Sequence, residues 1–180
     1  LRTIMSYTQQ GKYQEMMEYL QEYASVITEE EKVICYCKNM AVDATIHFYA
    51  GKLREEGIPF ECDMMLPQNI GISDTDLCKI YGNLLENAVD AVKDLLPEDK
   101  PYVKMLTKVK NKKLLIEISN PYSNEIQRRE KVFYSTKHKG FGIGTASVTE
   151  VVQRMGGYVV FNTEEGIFKV NIFLPVKTVQ

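Results

Sequence analysis

The chain has 180 residues, 44% of them hydrophobic and 26% charged, with a formal net charge of −2, four cysteines, six prolines and no tryptophan. These values exclude a disordered, collagen-like or disulfide-scaffold chain, and they suit one domain with an appendage or two small domains. The mildly acidic balance argues against a nucleic-acid partner, and no apolar run approaches the roughly 18 residues of a membrane-spanning helix.

From Leu1 to about Gly57 the pattern is helical. Tyr13, Met16, Met17, Leu20, Tyr23 and Ala24 recur at steps of three and four, followed by Val33, Cys37, Met40, Ala44, Phe48 and Leu53. A break at Thr28-Glu29-Glu30 makes this a helical hairpin. Such a hairpin cannot bury both apolar stripes by itself. It either recruits a second copy into a four-helix dimer bundle or docks on the rest of the chain.

Residues 58–180 have a different character. Phe60, Cys62 and Met64 alternate with Glu61 and Asp63, as in a strand with one face in water. Ser73, with Asp76 three residues on, reads as the capped start of a helix whose buried face is Leu77, Ile80, Leu84, Leu85, Ala88, Val92 and Leu95, ended by Leu96-Pro97. Strands are expected at Tyr102–Val109 and Leu114–Ser119 around a Lys110-Asn111-Lys112-Lys113 turn. A connection of about twenty residues, Asn120 to Lys139, is too long for an ordinary loop. A helix from Gly144 to Met155, a Gly156-Gly157 stop and strands Tyr158–Asn162 and Ile167–Leu174 complete the chain. Helices mixed with hairpin-connected strands predict an α+β fold, a two-layer α/β sandwich.

Two segments stand out chemically. Asn83, Asn87, Asp90 and Asp94 form one polar stripe on an otherwise apolar helix. Asparagine is a poor helix former, and two of them a turn apart can offer neutral oxygens to a hard cation such as Mg²⁺. In Lys137-His138-Lys139-Gly140-Phe141-Gly142-Ile143-Gly144-Thr145, alternate glycines let a ligand approach the backbone, and the helix that follows aims free N–H groups at an anion. Arg128, Arg129, Lys131, Lys137 and Lys139 against Glu130 leave a local charge of +4 between Ile126 and Gly140, which favours a polyphosphate. Neither a P-loop nor the H-R-D and D-F-G elements of protein kinases occurs. The cysteines, one C-x-C and two singles with only two histidines in the chain, read as reduced thiols rather than a zinc site.

Taken in order, the N-x-x-x-N-A helix, the hairpin ending at Asn120, Ser135-Thr136-Lys137, G-F-G-I-G before a helix, Gly156-Gly157 and a final hairpin resemble the GHKL (Bergerat) ATP-binding fold over about residues 58–176. The resemblance implies that ATP is bound, that Asn87 holds Mg²⁺ and that Asn83 lies beside the phosphates. It also places Asn120 at the adenine, and Thr136, Lys137, Gly140, Gly142, Gly144 and Thr145 at the triphosphate under a lid. Asn83 stands where hydrolysing members of the superfamily carry a glutamate. An amide lacks the basicity to activate water, which favours phosphotransfer with Asn83 and Lys137 as the groups acting on the phosphate.

At the adenine motif, Asn120-Pro121-Tyr122-Ser123-Asn124 replaces the usual D-x-G-x-G, so an uncharged acceptor and weaker nucleotide binding are expected. The combination resembles the peptide-pheromone sensor histidine kinases of Gram-positive bacteria. It implies a cytoplasmic protein-histidine kinase region, with a response regulator as partner, a homodimer through the hairpin, and membrane attachment only through a sensor portion preceding Leu1. His47 and His138 do not suit the acceptor role, so the phosphoacceptor histidine is expected before Leu1, and residues 1–57 are a partial dimerisation hairpin. The alternative is a degenerate GHKL module that regulates by dimerising or sequestering a partner.

Overall fold

The computed structural model describes residues 7–8, 10–27, 34–122 and 143–176. The chain divides into two compact units, Leu1–Ile34 and Cys35–Gln180. The first contains helix α1, Tyr13–Ile27. The break expected at Thr28-Glu29-Glu30 lies outside the described residues.

The second unit starts earlier than the expected boundary after Gly57. Its first element is α2, Met40–Glu55, and residues 34–39 leading into it are not helical. Asn39 ends any helix there: it is extended, and its side-chain oxygen accepts from Val42 N at 2.9 Å. The Asp43 carboxylate accepts from the backbone N–H groups of Tyr36 and Cys37 at 2.7 and 3.1 Å, and Lys38 N donates to Leu66 O, tying the incoming segment to the end of the first strand. The buried face of α2 is Val42, Ile46, Ala50 and Leu53, whereas Met40 is 77% and Phe48 59% exposed. The stripe through Met40, Ala44 and Phe48 is thus not the face that docks on the sheet-bearing unit. Val42, Ile46 and Leu53 place α2 in the core of the sheet-bearing unit, while Met40, Ala44 and Phe48 leave an apolar stripe exposed on its other side.

After β1, Phe60–Met65, comes α3, Asp74–Val92. Ser73 caps α3 by accepting from Asp76 N at 3.1 Å and donating to Asp76 Oδ2 at 2.9 Å. A short 3₁₀ turn at Pro97–Asp99 leads to β2, Val103–Lys110, and β3, Lys113–Pro121. Asn111 and Lys112 both have positive φ, 51° and 57°, the type I′ geometry that matches strand twist in a two-residue hairpin. The last elements are α4, Ile143–Arg154, β4, Tyr158–Glu164, and β5, Ile167–Pro175.

The five strands have the order β1-β2-β3-β5-β4, with β1 and β2 parallel and the rest antiparallel. One face of the sheet carries Val103, Met105, Leu114, Ile116, Ile118, Val170, Ile172 and Leu174, buried against the helices. The other carries ion pairs in water: Lys104–Glu61, Lys108–Asp63 and Lys169–Glu117. This is the two-layer sandwich anticipated from sequence. β3 runs to Pro121, two residues past the expected Ser119, because β5 continues to pair with it there.

Candidate functional site

The site is set by chain direction. α3 leaves the Met65 end of β1 and must reach the start of β2, and β2 is parallel to β1, so α3 runs back toward the Phe60/Val103 end of the sheet. Lys104 pairs with Ser119, which puts the last residues of β3, including Asn120, at that same end. α4 ends where β4 begins, and Tyr158 lies beside Phe173, which in turn pairs with Leu115. α4 thus runs opposite to α3 and starts at the Asn120 end.

A clamp fixes how far the two helices overlap. Arg154, the last residue of α4, pairs with Asp76 Oδ1 near the start of α3, while Asp76 Oδ2 is held by Ser73. Eleven residues back along α4 lies Ile143, and eleven residues on along α3 lies Asn87. At about 1.5 Å per residue both are roughly 16 Å from the clamp. The N-terminus of α4, where helical N–H groups have no partner within the helix itself, is therefore level with Asn87.

The two asparagines of α3 differ in their commitments. Asn83 is half-buried and its Nδ2 donates to Lys79 O at 2.6 Å, which leaves its oxygen and its second N–H to meet a ligand. Asn87 is half-buried and has no side-chain hydrogen bond among the described residues. The rest of the stripe is ordinary surface: Asp90 accepts from Lys93 Nζ at 2.7 Å, and Asp94 is exposed. Asn120 is 1% exposed, on the helix-facing side of β3, and its Nδ2 donates to Pro121 O at 2.9 Å. That bond fixes the carboxamide's orientation and keeps its oxygen available as an acceptor. The strand end is anchored in turn by Tyr122 N donating to Gly166 O at 3.1 Å.

Of the remaining sequence-derived residues, Gly144 and Thr145 lie in the first turn of α4, and Thr145 O accepts from Thr149 Oγ1 at 2.8 Å. Thr136, Lys137, Gly140 and Gly142 lie outside the described residues. An open hollow of about 520 Å³ lined by Gln68, Asn69, Ile72, Ser73 and Asp74 is elsewhere. Asp74 precedes Asn83 and Asn87 by nine and thirteen residues, roughly 14 and 20 Å along α3. Sequence reasoning took Asp76 only as a capping residue and passed over Arg154, because nothing local links positions 78 residues apart.

A family model described as GHKL domain matches residues 72–175. The chain belongs to this family. The sensor protein CitS of Bacillus subtilis is 26% identical over 186 residues, covering 97% of this chain and 33% of CitS; the chain thus spans a third of that relative's length. Among solved structures, the catalytic domain of histidine kinase ThkA superposes with a TM-score of 0.58 at 18% identity, over 76% of this chain and 92% of that one. Full-length ShkA in complex with AMPPNP superposes with a TM-score of 0.59 at 19% identity, over 78% of this chain and 30% of ShkA. The fold is that of sensor histidine kinase catalytic domains. No helix among the described residues is long and apolar enough to cross a membrane.

Proposed function

We propose that this chain is the ATP-binding, phosphoryl-donating region of a two-component sensor histidine kinase. The observation that carries this is the clamp-set alignment of the α4 N-terminus with Asn87, at the sheet end where Asn120 is buried. A free carboxamide level with a helix N-terminus fits a Mg²⁺–triphosphate pair: the oxygen suits the hard cation and the N–H groups suit the anion. When bound, ATP·Mg²⁺ supplies the γ-phosphoryl group and neutralises its charge. Asn87 would hold the metal, Asn83 would orient the phosphates through its second N–H, and Thr136, Lys137, the glycine backbone and Thr145 would hold the triphosphate. Asn120 would accept a hydrogen bond from the adenine amino group. Neither Asn83 nor Asn87 can take a proton from water, so these residues position the phosphoryl group for another acceptor rather than hydrolysing ATP.

That acceptor would be a histidine on dimerisation helices, and a response regulator would receive the phosphoryl group. His47 does not suit the role: it lies on α2, 3.5 Å from Asp43 Oδ2 and edge-on to Tyr36 at 4.9 Å. Dimerisation would run through a helical hairpin, and the exposed Met40, Ala44 and Phe48 stripe of α2 is apolar surface that a second copy could cover. Peptide-pheromone sensing rests on the altered motif from Asn120 to Asn124 alone.

Calorimetric titration of ATP with and without Mg²⁺ tests the reading. Asn87→Ala is expected to weaken Mg²⁺-dependent binding about 10- to 100-fold, the scale of losing one bond to a charged group, with little change in stability. An intact partner that carries the acceptor histidine but lacks catalysis should become phosphorylated in trans. Nucleotide binding without any phosphohistidine would favour the regulatory module instead, a reading that the altered adenine motif also supports.

A further inference from the structure

The water-facing side of the sheet concentrates charge and apolar surface at one end, and the nucleotide site uses none of it. The register sets Lys110 opposite Lys113, Lys108 opposite Leu115, Leu115 opposite Phe173 and Phe173 beside Tyr158. Alternation along the strands turns these six side chains away from the helices. Tyr158 is 58% exposed and stacks on Phe173 with ring centres 4.7 Å apart, and Val160, the next outward residue of β4, is 48% exposed. From Lys108 to Lys113 there are four lysines and no acid. Lys108 is paired with Asp63 at 3.4 Å, while Lys110, Lys112 and Lys113 are exposed and have no ion pair among the described residues. In a molecule whose net charge is −2, this positive end is local.

We propose that this end of the sheet docks on an anionic lipid bilayer. Charge complementarity supplies the first half of the argument: anionic headgroups neutralise Lys110, Lys112 and Lys113, none of which has an ion pair among the described residues. The apolar half decides between anionic partners. A bilayer accepts Tyr158 at its interface, ring inward and hydroxyl in the headgroups, together with Val160 and Leu115. A nucleic acid would match the lysines and leave those side chains in water. The proposal is independent of the kinase reading, since no nucleotide-site residue takes part.

Co-sedimentation of the full chain with phosphatidylcholine vesicles, with and without phosphatidylserine, tests it. Binding is expected only to the phosphatidylserine-containing vesicles, and it weakens as salt is raised. The triple variant Lys110→Gln, Lys112→Asn, Lys113→Gln keeps an asparagine at the positive-φ position and should bind roughly a hundredfold more weakly, about fivefold per lysine. Tyr158→Ser should weaken binding several-fold and leave the salt dependence unchanged. No binding to the anionic vesicles, or a triple variant that binds like wild type, overturns the proposal. Full binding by Tyr158→Ser also overturns it, and points to an acidic protein or another polyanion. Should the triple variant fail to fold, salt-independent binding by the wild-type chain overturns it equally.

Discussion

In the proposed site Asn120 stands where a carboxylate would read adenine, and its surroundings show what the exchange does. Its Nδ2 satisfies the Pro121 carbonyl in a position almost closed to water. An aspartate there would set two acceptors against each other inside the fold. Asn120→Asp is therefore expected to lower the stability of the ligand-free protein by about 1–3 kcal/mol. In the proposed site it would also tighten ATP binding, because a charged acceptor makes the stronger hydrogen bond. Thermal unfolding with and without ATP checks both effects: the variant should melt lower when free and gain more from the nucleotide.

The thiols of the same unit make a separate, pH-dependent statement. Burial pushes Cys37 up to about 11 and Cys62 up to about 12, from an ordinary value of 9.0. Each folded-state value is raised, so the folded protein holds these protons more tightly than the unfolded chain does. Their contribution to stability is complete below pH 9 and is lost as pH rises through 11 to 12. The urea midpoint should accordingly be insensitive to these groups up to pH 9 and fall above it. Cys62→Ala should flatten that fall while costing some packing at all pH values.

At the level of elements, two neighbouring glycines end α4 for different reasons. Gly156 has φ +72° and open space where a Cβ would sit; a side chain there costs about 1–2 kcal/mol of left-handed backbone strain and nothing more. Gly157 has an ordinary φ, but an added Cβ would fall 2.4 Å from Phe173 O and 2.7 Å from Leu174 Cδ2. It lets the start of β4 lie close against β5. Gly157→Ala is expected to destabilise the protein by about 1–3 kcal/mol or more, and by more than Gly156→Ala, as read from urea denaturation of the two variants.

Both glycines were legible in the sequence as a helix stop, and the strands were legible to within two residues, because alternation and turn chemistry are local signals. The phase of α2 was not. Met40, Ala44 and Phe48 recur at helical spacing as plausibly as Val42, Ile46 and Ala50 do, and only docking on the sheet-bearing unit selects the second set. The proposed site divides the same way. Asn83 and Asn87 could be read from one helix, whereas the Arg154–Asp76 clamp that sets α4 against them is a long-range pairing with no local signature.

For the molecule as a whole, the position of α2 decides which piece of the chain can fold. Val42, Ile46 and Leu53 are fully buried in the core they share with α3 and the sheet. At about 2 kcal/mol for each such side chain, they contribute roughly 6 kcal/mol of burial. The net stability of an ordinary domain is about 5–15 kcal/mol, so losing α2 removes an amount of the same size. Asn39 adds to this, since its Nδ2 donates to Gln68 O at 3.0 Å and Asp74 Oδ1 at 2.8 Å, joining the start of α2 to the start of α3. A fragment of residues 35–180 should therefore unfold cooperatively and bind nucleotide as the full chain does. A fragment of residues 58–180, cut at the boundary that composition suggested, should lack a cooperative transition and expose apolar surface to a hydrophobic dye. Circular dichroism melts and dye binding of the two fragments separate these outcomes. A cooperative melt for the shorter fragment would show that α2 is an accessory to the sandwich rather than part of its core.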